Sequence, residues 1–345
     1  MPSETDVRAA YQFFLGRPPE SEQVVREFAR LPDLPTLFDR MVRSAEFLAR
    51  WRNPATTNTA PPVTTASDAE VIARFGRHAG PGEAGFVTDF LGTRTRTAFV
   101  GGLAASGGAV WEPPTAALSR LFTVGEWAGS LRSVLEADPA RPFVVFELGA
   151  GWAPWCVAMA AACRKRGVKG FHATAVEASA GHVEFARRHF ADNGVSATEF
   201  TLLHAAVTVA DGPVTFPHLD SPADDYGAAV DDAPHTGRPP PARTVTVPGV
   251  SIPTLLRAAD RVDLMHIDIQ GGEAEVVRAG RKELKAKVHR LVIGTHGRGI
   301  EHELLTDLSA DGWLLEHDEA CGYALTDGRF ALHRDGCQVW RNPAI

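Results

Sequence analysis

The chain has 345 residues, 44% of them hydrophobic and 22% charged, enough for one large soluble domain and a smaller one. Its 35 Lys and Arg against 42 Asp and Glu give a net charge of −7, which argues against a surface built for nucleic acid. No apolar run approaches the ~18 residues of a membrane span, and the N-terminus MPSETDVRAA lacks the pattern of a signal peptide, so a cytoplasmic protein is expected.

In chain order, residues 5–52 read as helices. Val24, Val25, Phe28 and Leu31 recur at helical spacing, followed by Leu37, Phe38, Met41, Val42 and Phe47. An all-helical module over 1–52 is expected. The stretch 53–67, NPATTNTAPPVTTAS, is uncharged and rich in Pro, Thr and Ala, which is the composition of a linker. Over 68–142 the pattern is mixed, with helices at 68–78 and 126–137 and a glycine-rich loop at 101–114 ending in Trp111 and two prolines.

From 143 to 345 short β-rich runs alternate with helical runs. Strands are expected at 143–148, 172–177, 201–208, 262–269, 289–295 and 337–341, and helices at 154–166, 180–193, 273–287 and 300–310. Such alternation predicts an α/β, Rossmann-like fold with a mostly parallel sheet covered on both faces. A polar insertion at 217–243 interrupts it and reads as a loop or lid. The four cysteines include no C-x-x-C pair, and Cys156 and Cys163 fall in an apolar helical run as buried thiols.

The first strand runs into a glycine turn, FELGAGWAPW at 146–155. In a parallel sheet such a turn faces the ligand at the strand ends. Two templates compete. The dinucleotide fingerprint G-x-G-x-x-G, counted from Gly149, puts Pro154 where helix and strand need a close-packing glycine. The methyltransferase pattern E/D-x-G-x-G-x-G gives Glu147, Gly149, Gly151 and Ala153, with only the last altered. Pro154 then opens the helix, where its missing N–H costs nothing. The next strand ends in Glu177, placed to bind both hydroxyls of a ribose under either template.

Four stretches in order carry a family resemblance: ELGAG at 147–151, VEASAGHVEFARRHFADNGV at 176–195, LHAAVTVADGPVTF at 203–216, and DLMHIDIQGGEAEVVRAG at 263–280. From 143 to about 342 the chain resembles the FkbM-type methyltransferases, a class I group dependent on S-adenosylmethionine. Two departures stand out. Trp152-Ala153-Pro154 replaces the family's Asn-x-Gly, and Gln270 replaces its Glu.

The resemblance implies a cofactor turn at Glu147, Gly149, Ala150 and Gly151, beside the methionine part. Glu177 would bind the ribose, Ala205 and Ala206 would border the adenine, and Asp268 and Gln270 would lie where donor and acceptor meet. Residues 8–52, with LGRPP and SAEFLARW, are also similar to a short helical module found beside bacterial glycan-modifying enzymes. Together these imply transfer of a methyl group to a hydroxyl of a saccharide or secondary metabolite in a bacterium. Residues 68–142 would help to shape the acceptor site.

The chemistry needs a group to receive the acceptor's proton. On the fourth strand His266, Asp268 and Gln270 share one side by period two, and Asp268 and Gln270 come at the strand's end. His266, deeper, reads as a satisfied core histidine. His296 ends the neighbouring strand and has a pKa suited to a base near neutrality. Asp268 and His296 are expected to face each other across the acceptor. A divalent metal shared by them is chemically open, but the sequence shows no second carboxylate with convincing spacing and none is predicted. Trp152 and Trp155 flank the cofactor turn, as cover for the ligand or as core. Two rival readings are a nicotinamide-dependent oxidoreductase, which Pro154 disfavours, and a non-catalytic interaction protein on a degenerate domain.

Overall fold

A computed structural model describes residues 1–11, 15, 17–42, 44, 67–113, 122–230, 241–326 and 329–345. The chain divides into two compact units, Met1–Thr65 and Ala66–Ile345. The described part of the first is helical: Glu4–Ala10, Glu22–Phe28 and Leu34–Val42. Ser3 and Asp6 close a capping box at the first helix, and Ser21 caps the second. Val7, Tyr11, Leu15, Val25, Leu37 and Met41 form its core. The expected linker lies outside the described residues, except Ser67, which caps the helix Asp68–Ala73 of the second unit.

The second unit contains β1 (Phe86–Thr88), β2 (Arg94–Arg96), β3 (Phe143–Leu148), β4 (Phe171–Glu177), β5 (Phe200–His204), β6 (Ala206–Val207) and β7 (Gly212–Pro217). It continues with β8 (Thr244–Val250), β9 (Val262–Ile267), β10 (Val288–Thr295), β11 (Leu314–Glu319), β12 (Gly322–Thr326), β13 (Arg329–Arg334) and β14 (Gly336–Arg341). A seven-stranded sheet has the order β11-β14-β10-β9-β3-β4-β5. The β3, β4, β5, β9 and β10 neighbours pair in parallel, and β14 runs antiparallel to both β10 and β11. The fold is the Rossmann-like α/β sheet that the alternation predicts. β9 and β10 are buried along their whole length, as strands covered on both faces must be.

From β3 the chain walks through β4 and β5 to one edge, then returns to β9 and walks the other way. The order therefore reverses between β3 and β9, where ligands of such sheets sit. The register makes this junction level: Leu148 pairs with Ile267, and Ile267 with Ile293. Gly149, Asp268 and Gly294 consequently emerge side by side. The helices Val124–Glu136 and Pro154–Arg166 pack on one face around Trp127, Leu131, Trp155 and Met159. Those at Glu273–Lys287 and Arg298–Ala310 cover the other, around Val277, Leu284, Leu304 and Trp340.

Local expectations are met or corrected for definable reasons. The helix Pro154–Arg166 has the expected bounds, with proline in its first turn and Gly167 left-handed at its end. The strand expected at 201–208 breaks at Ala205, where the chain leaves the main sheet for a small one of order β6-β8-β7. The polar insertion joins the antiparallel pair β7 and β8. Cys156, Cys163, Cys321 and Cys337 are free and buried. Among the described residues no helix is long and apolar enough to cross a membrane.

Candidate active site

The glycine turn is built by hydrogen bonds that leave little of it free. Gly149 and Ala150 both donate their N–H to the Val176 carbonyl at 3.0 Å, tying the turn to the neighbouring strand. Gly151 donates to Glu177 Oε2 at 2.8 Å. Gly149 has φ +76°, and a Cβ there would lie 1.8 Å from the Asp268 carbonyl, so only glycine lets the ends of β3 and β9 meet. Ala153, at φ 57° and ψ 50°, holds the left-handed conformation that a glycine would adopt without strain. It immediately precedes Pro154.

Glu147 differs from a simple ligand contact. Its Oε1 accepts from the Trp155 N–H at 3.2 Å and its Oε2 from the Cys156 N–H at 2.7 Å. The carboxylate thus fills the anion-favouring N-terminus of the helix Pro154–Arg166 from inside the protein. Burial raises its pKa to about 7, against the lowering effect of His266 and these hydrogen bonds. Glu147 lines the cavity while both its oxygens hold the start of the helix.

Glu177, 6% exposed, joins the first turn to the second: Oε1 accepts from Ser179 N at 2.6 Å while Oε2 holds Gly151. Ala178, Ala205, Ala206, Val207 and Phe216 continue the wall as an apolar patch. The insertion contributes Tyr226, whose ring stacks on His182 at 4.3 Å, meets Trp152 edge-on at 4.8 Å, and donates its hydroxyl to the Phe99 carbonyl. Part of the expected loop is therefore a wall of the site; its residues 231–240 lie outside the described residues. Trp152 lines the cavity, and its carbonyl accepts from His189 Nδ1 at 2.9 Å. Burial lowers the His189 pKa to about 4, so this imidazole is neutral. Trp155, also on the cavity wall, packs against Trp127 and Phe122 as core. Trp111 is not among the lining residues.

A cavity of about 700 Å³ runs from these groups to the ends of β9 and β10, within the size range of small-molecule sites. At that far end Asp268 and Gln270 line the cavity, while His296 stands behind Asp268 and is not among the lining residues. The Gln270 amide donates to Asp268 Oδ1 at 2.8 Å, from a backbone at φ 64°. His296 Nε2 lies 3.4 Å from Asp268 Oδ1, a direct pairing that leaves no space for an acceptor between them, unlike the expected arrangement. Burial raises the Asp268 pKa. For His296 burial works against the charge, but the Glu273 hydrogen bond and the Asp268 and Asp335 carboxylates prevail and lift its pKa to about 9.

Several residues of the site were not anticipated. Glu273, fully buried, accepts from Ile269 N, Gly271 N and His296 Nδ1. Asp335, between β13 and β14, lies 3.9 Å from His296 Nε2. Asp268, Glu273 and His296 each present a ligand atom within 4.8 Å of the others, a set able to hold a cation. His266 corrects the expectation of a satisfied core histidine. It is 2% exposed and stacks on Trp155, but neither ring nitrogen has a hydrogen-bond partner among the described residues. Its nearest carboxylate is Glu126, 3.6 Å away. Glu126 was readable only as the acid of the T-x-x-E capping box with Thr123.

The chain is similar to known methyltransferases. Residues 155–324 match the model of the methyltransferase FkbM domain. A protein of Jannaschia sp. (strain CCS1) described as a "Putative methyltransferase" is 31% identical over 283 residues, covering 79% of this chain and 98% of that one. Among solved structures, methyltransferase FkbM from Methylobacillus flagellatus KT has TM-score 0.36 and 13% identity, over 64% of this chain and 55% of that one. The precorrin-6y C5,15-methyltransferase of Geobacter metallireducens GS-15 has TM-score 0.36 and 15% identity, over 65% and 90%. The chain belongs to the FkbM methyltransferase family.

Proposed function

We propose that the protein is an S-adenosylmethionine-dependent O-methyltransferase acting on a hydroxyl of a small molecule, a saccharide or secondary metabolite. The observation that carries the cofactor is the internal occupation of the helix N-terminus by Glu147. A pyrophosphate needs those N–H groups and is repelled by that carboxylate. A cofactor without phosphate needs neither. The residues present fit S-adenosylmethionine: a buried acid at the second strand end for the ribose, an apolar patch for the adenine, and a level glycine junction for the methionine part.

When bound, S-adenosylmethionine supplies the methyl group and its own leaving group. The chain's residues align and deprotonate the acceptor. Asp268, partly exposed to the cavity, meets the acceptor hydroxyl, and His296 behind it, with Gln270 beside it, fixes the carboxylate. Asp268 also lies beside the Gly149 junction, where donor and acceptor would meet.

Calorimetry with S-adenosylhomocysteine tests the cofactor. One-to-one binding is expected; no heat, with and without a divalent metal, sinks the assignment. A methyl-transfer screen against hydroxylated glycans and phenolic or polyol metabolites then tests the acceptor class. Methylation confined to amines or thiols would overturn it.

A further inference from the structure

We propose that His296, Asp268 and Asp335, with Glu273 behind the imidazole, form a binding site for a divalent transition-metal cation at the acceptor end of the cavity. Its catalytic use rests on the methyl-transfer reading; its ability to bind the ion does not.

Glu273 orients the imidazole. Its Oε1 already accepts from two backbone N–H groups, Ile269 at 3.1 Å and Gly271 at 3.0 Å. An oxygen so used is an acceptor, so His296 Nδ1, at 2.9 Å, must be the donor. That fixes the ring and leaves Nε2 facing Asp268 and Asp335, which line the cavity. Such a carboxylate–histidine pair is the usual outer support of a metal-binding imidazole.

The position of Nε2 then matters. His296 is 4% exposed, and Nε2 has no hydrogen-bond partner among the described residues. Asp268 Oδ1 lies 3.4 Å away and Asp335 Oδ2 3.9 Å away. The first distance is long for a charge-assisted hydrogen bond, which settles at about 2.7–2.9 Å. It suits two ligands of one ion, because atoms each about 2.1 Å from a metal lie about 3.0–3.4 Å apart at octahedral to tetrahedral angles. Asp335 is 62% exposed and free to close the remaining gap by side-chain rotation.

Charge points the same way. Three carboxylates converge on one imidazole, and the nearby Arg334 guanidinium is directed to Glu319 at 3.1 Å. A divalent cation would balance this excess. One imidazole with carboxylates suits Mn²⁺, Fe²⁺ or Zn²⁺ better than the all-oxygen sites of Ca²⁺. Placed beside Asp268, such an ion would orient the acceptor oxygen and lower the pKa of its hydroxyl.

The test uses the full chain freed of metal by chelation and titrated with Mn²⁺, following loss of the free-ion signal by electron paramagnetic resonance. One Mn²⁺ per chain is expected. Asp268→Asn and His296→Ala should each weaken it at least tenfold, and Glu273→Gln about tenfold through the freed imidazole. Asp335→Asn, at an exposed position, gives a readout if a buried variant fails to fold, and should weaken binding several-fold. Wild type binding no more Mn²⁺ than the variants overturns the site. S-adenosylhomocysteine calorimetry on the same metal-free samples separates the two readings. Its success with no Mn²⁺ uptake would remove the metal and leave the methyl-transfer reading standing.

Discussion

The two ends of one cavity are built on opposite principles. At the glycine turn most polar groups have a protein partner: the N–H groups of Gly149, Ala150 and Gly151 are taken, and both oxygens of Glu147 and of Glu177 are engaged, while the buried Trp152 Nε1 has none among the described residues. At the ends of β9 and β10, buried polar atoms of His266, Glu273 and His296 have no such partner among the described residues. A satisfied end holds its shape before any ligand arrives, which is what positioning a cofactor requires. An unsatisfied end costs stability and is kept where chemistry or ion binding repays it. The comparison separates binding from turnover, and mutations should separate them too.

The largest effect is expected at the junction of the two ends. Gly149→Ala drives a Cβ into the Asp268 carbonyl and forces alanine to φ +76°. It should abolish S-adenosylhomocysteine binding and destabilise the fold by about 3 kcal/mol in urea denaturation. Unchanged binding would mean that β3 and β9 do not meet as described. Next, Asp268→Asn should lower kcat about 10²- to 10³-fold while leaving S-adenosylhomocysteine affinity within about threefold. An equal loss of both would erase the distinction between the ends. Glu177→Gln should do the reverse, weakening S-adenosylhomocysteine about tenfold by removing a charged acceptor.

The smallest effect sharpens the satisfied end. The folded pKa of His189, about 4, lies below its ordinary 6.5, so the unfolded chain binds more protons between these values. Its contribution is complete above about pH 6.5 and is lost as pH falls toward 4, on the order of 3 kcal/mol at most. Urea denaturation at pH 7 and pH 4.5 should show a smaller loss for His189→Asn than for wild type. Equal losses would mean that His189 is not buried neutral against the Trp152 carbonyl.

Much of this was legible in the sequence because it is local. The covered strands β3, β9 and β10 read as apolar runs, and Pro154 and Gly167 mark the two ends of one helix. Asp268 and His296 were named as candidates because each closes an apolar strand run. The three-residue strands β1 and β2, and β11 to β13 with their partly exposed residues, carry too little periodicity to stand out. Glu273, Asp335, Glu126 and His266 were missed as site residues for a different reason. Their meeting depends on strand order and on which atoms lack partners, and neither is written in spacing. Asp335 reaches His296 only because β14 returns antiparallel beside β10.

The central claim is that Glu147 fills the helix N-terminus and reserves the turn for a cofactor without phosphate. Calorimetry of the wild-type chain with S-adenosylhomocysteine and with NAD⁺, under the same conditions, tests it most directly. One-to-one binding of the first and no measurable heat from the second are expected. Binding of NAD⁺, or failure of S-adenosylhomocysteine with and without divalent metal, would contradict it.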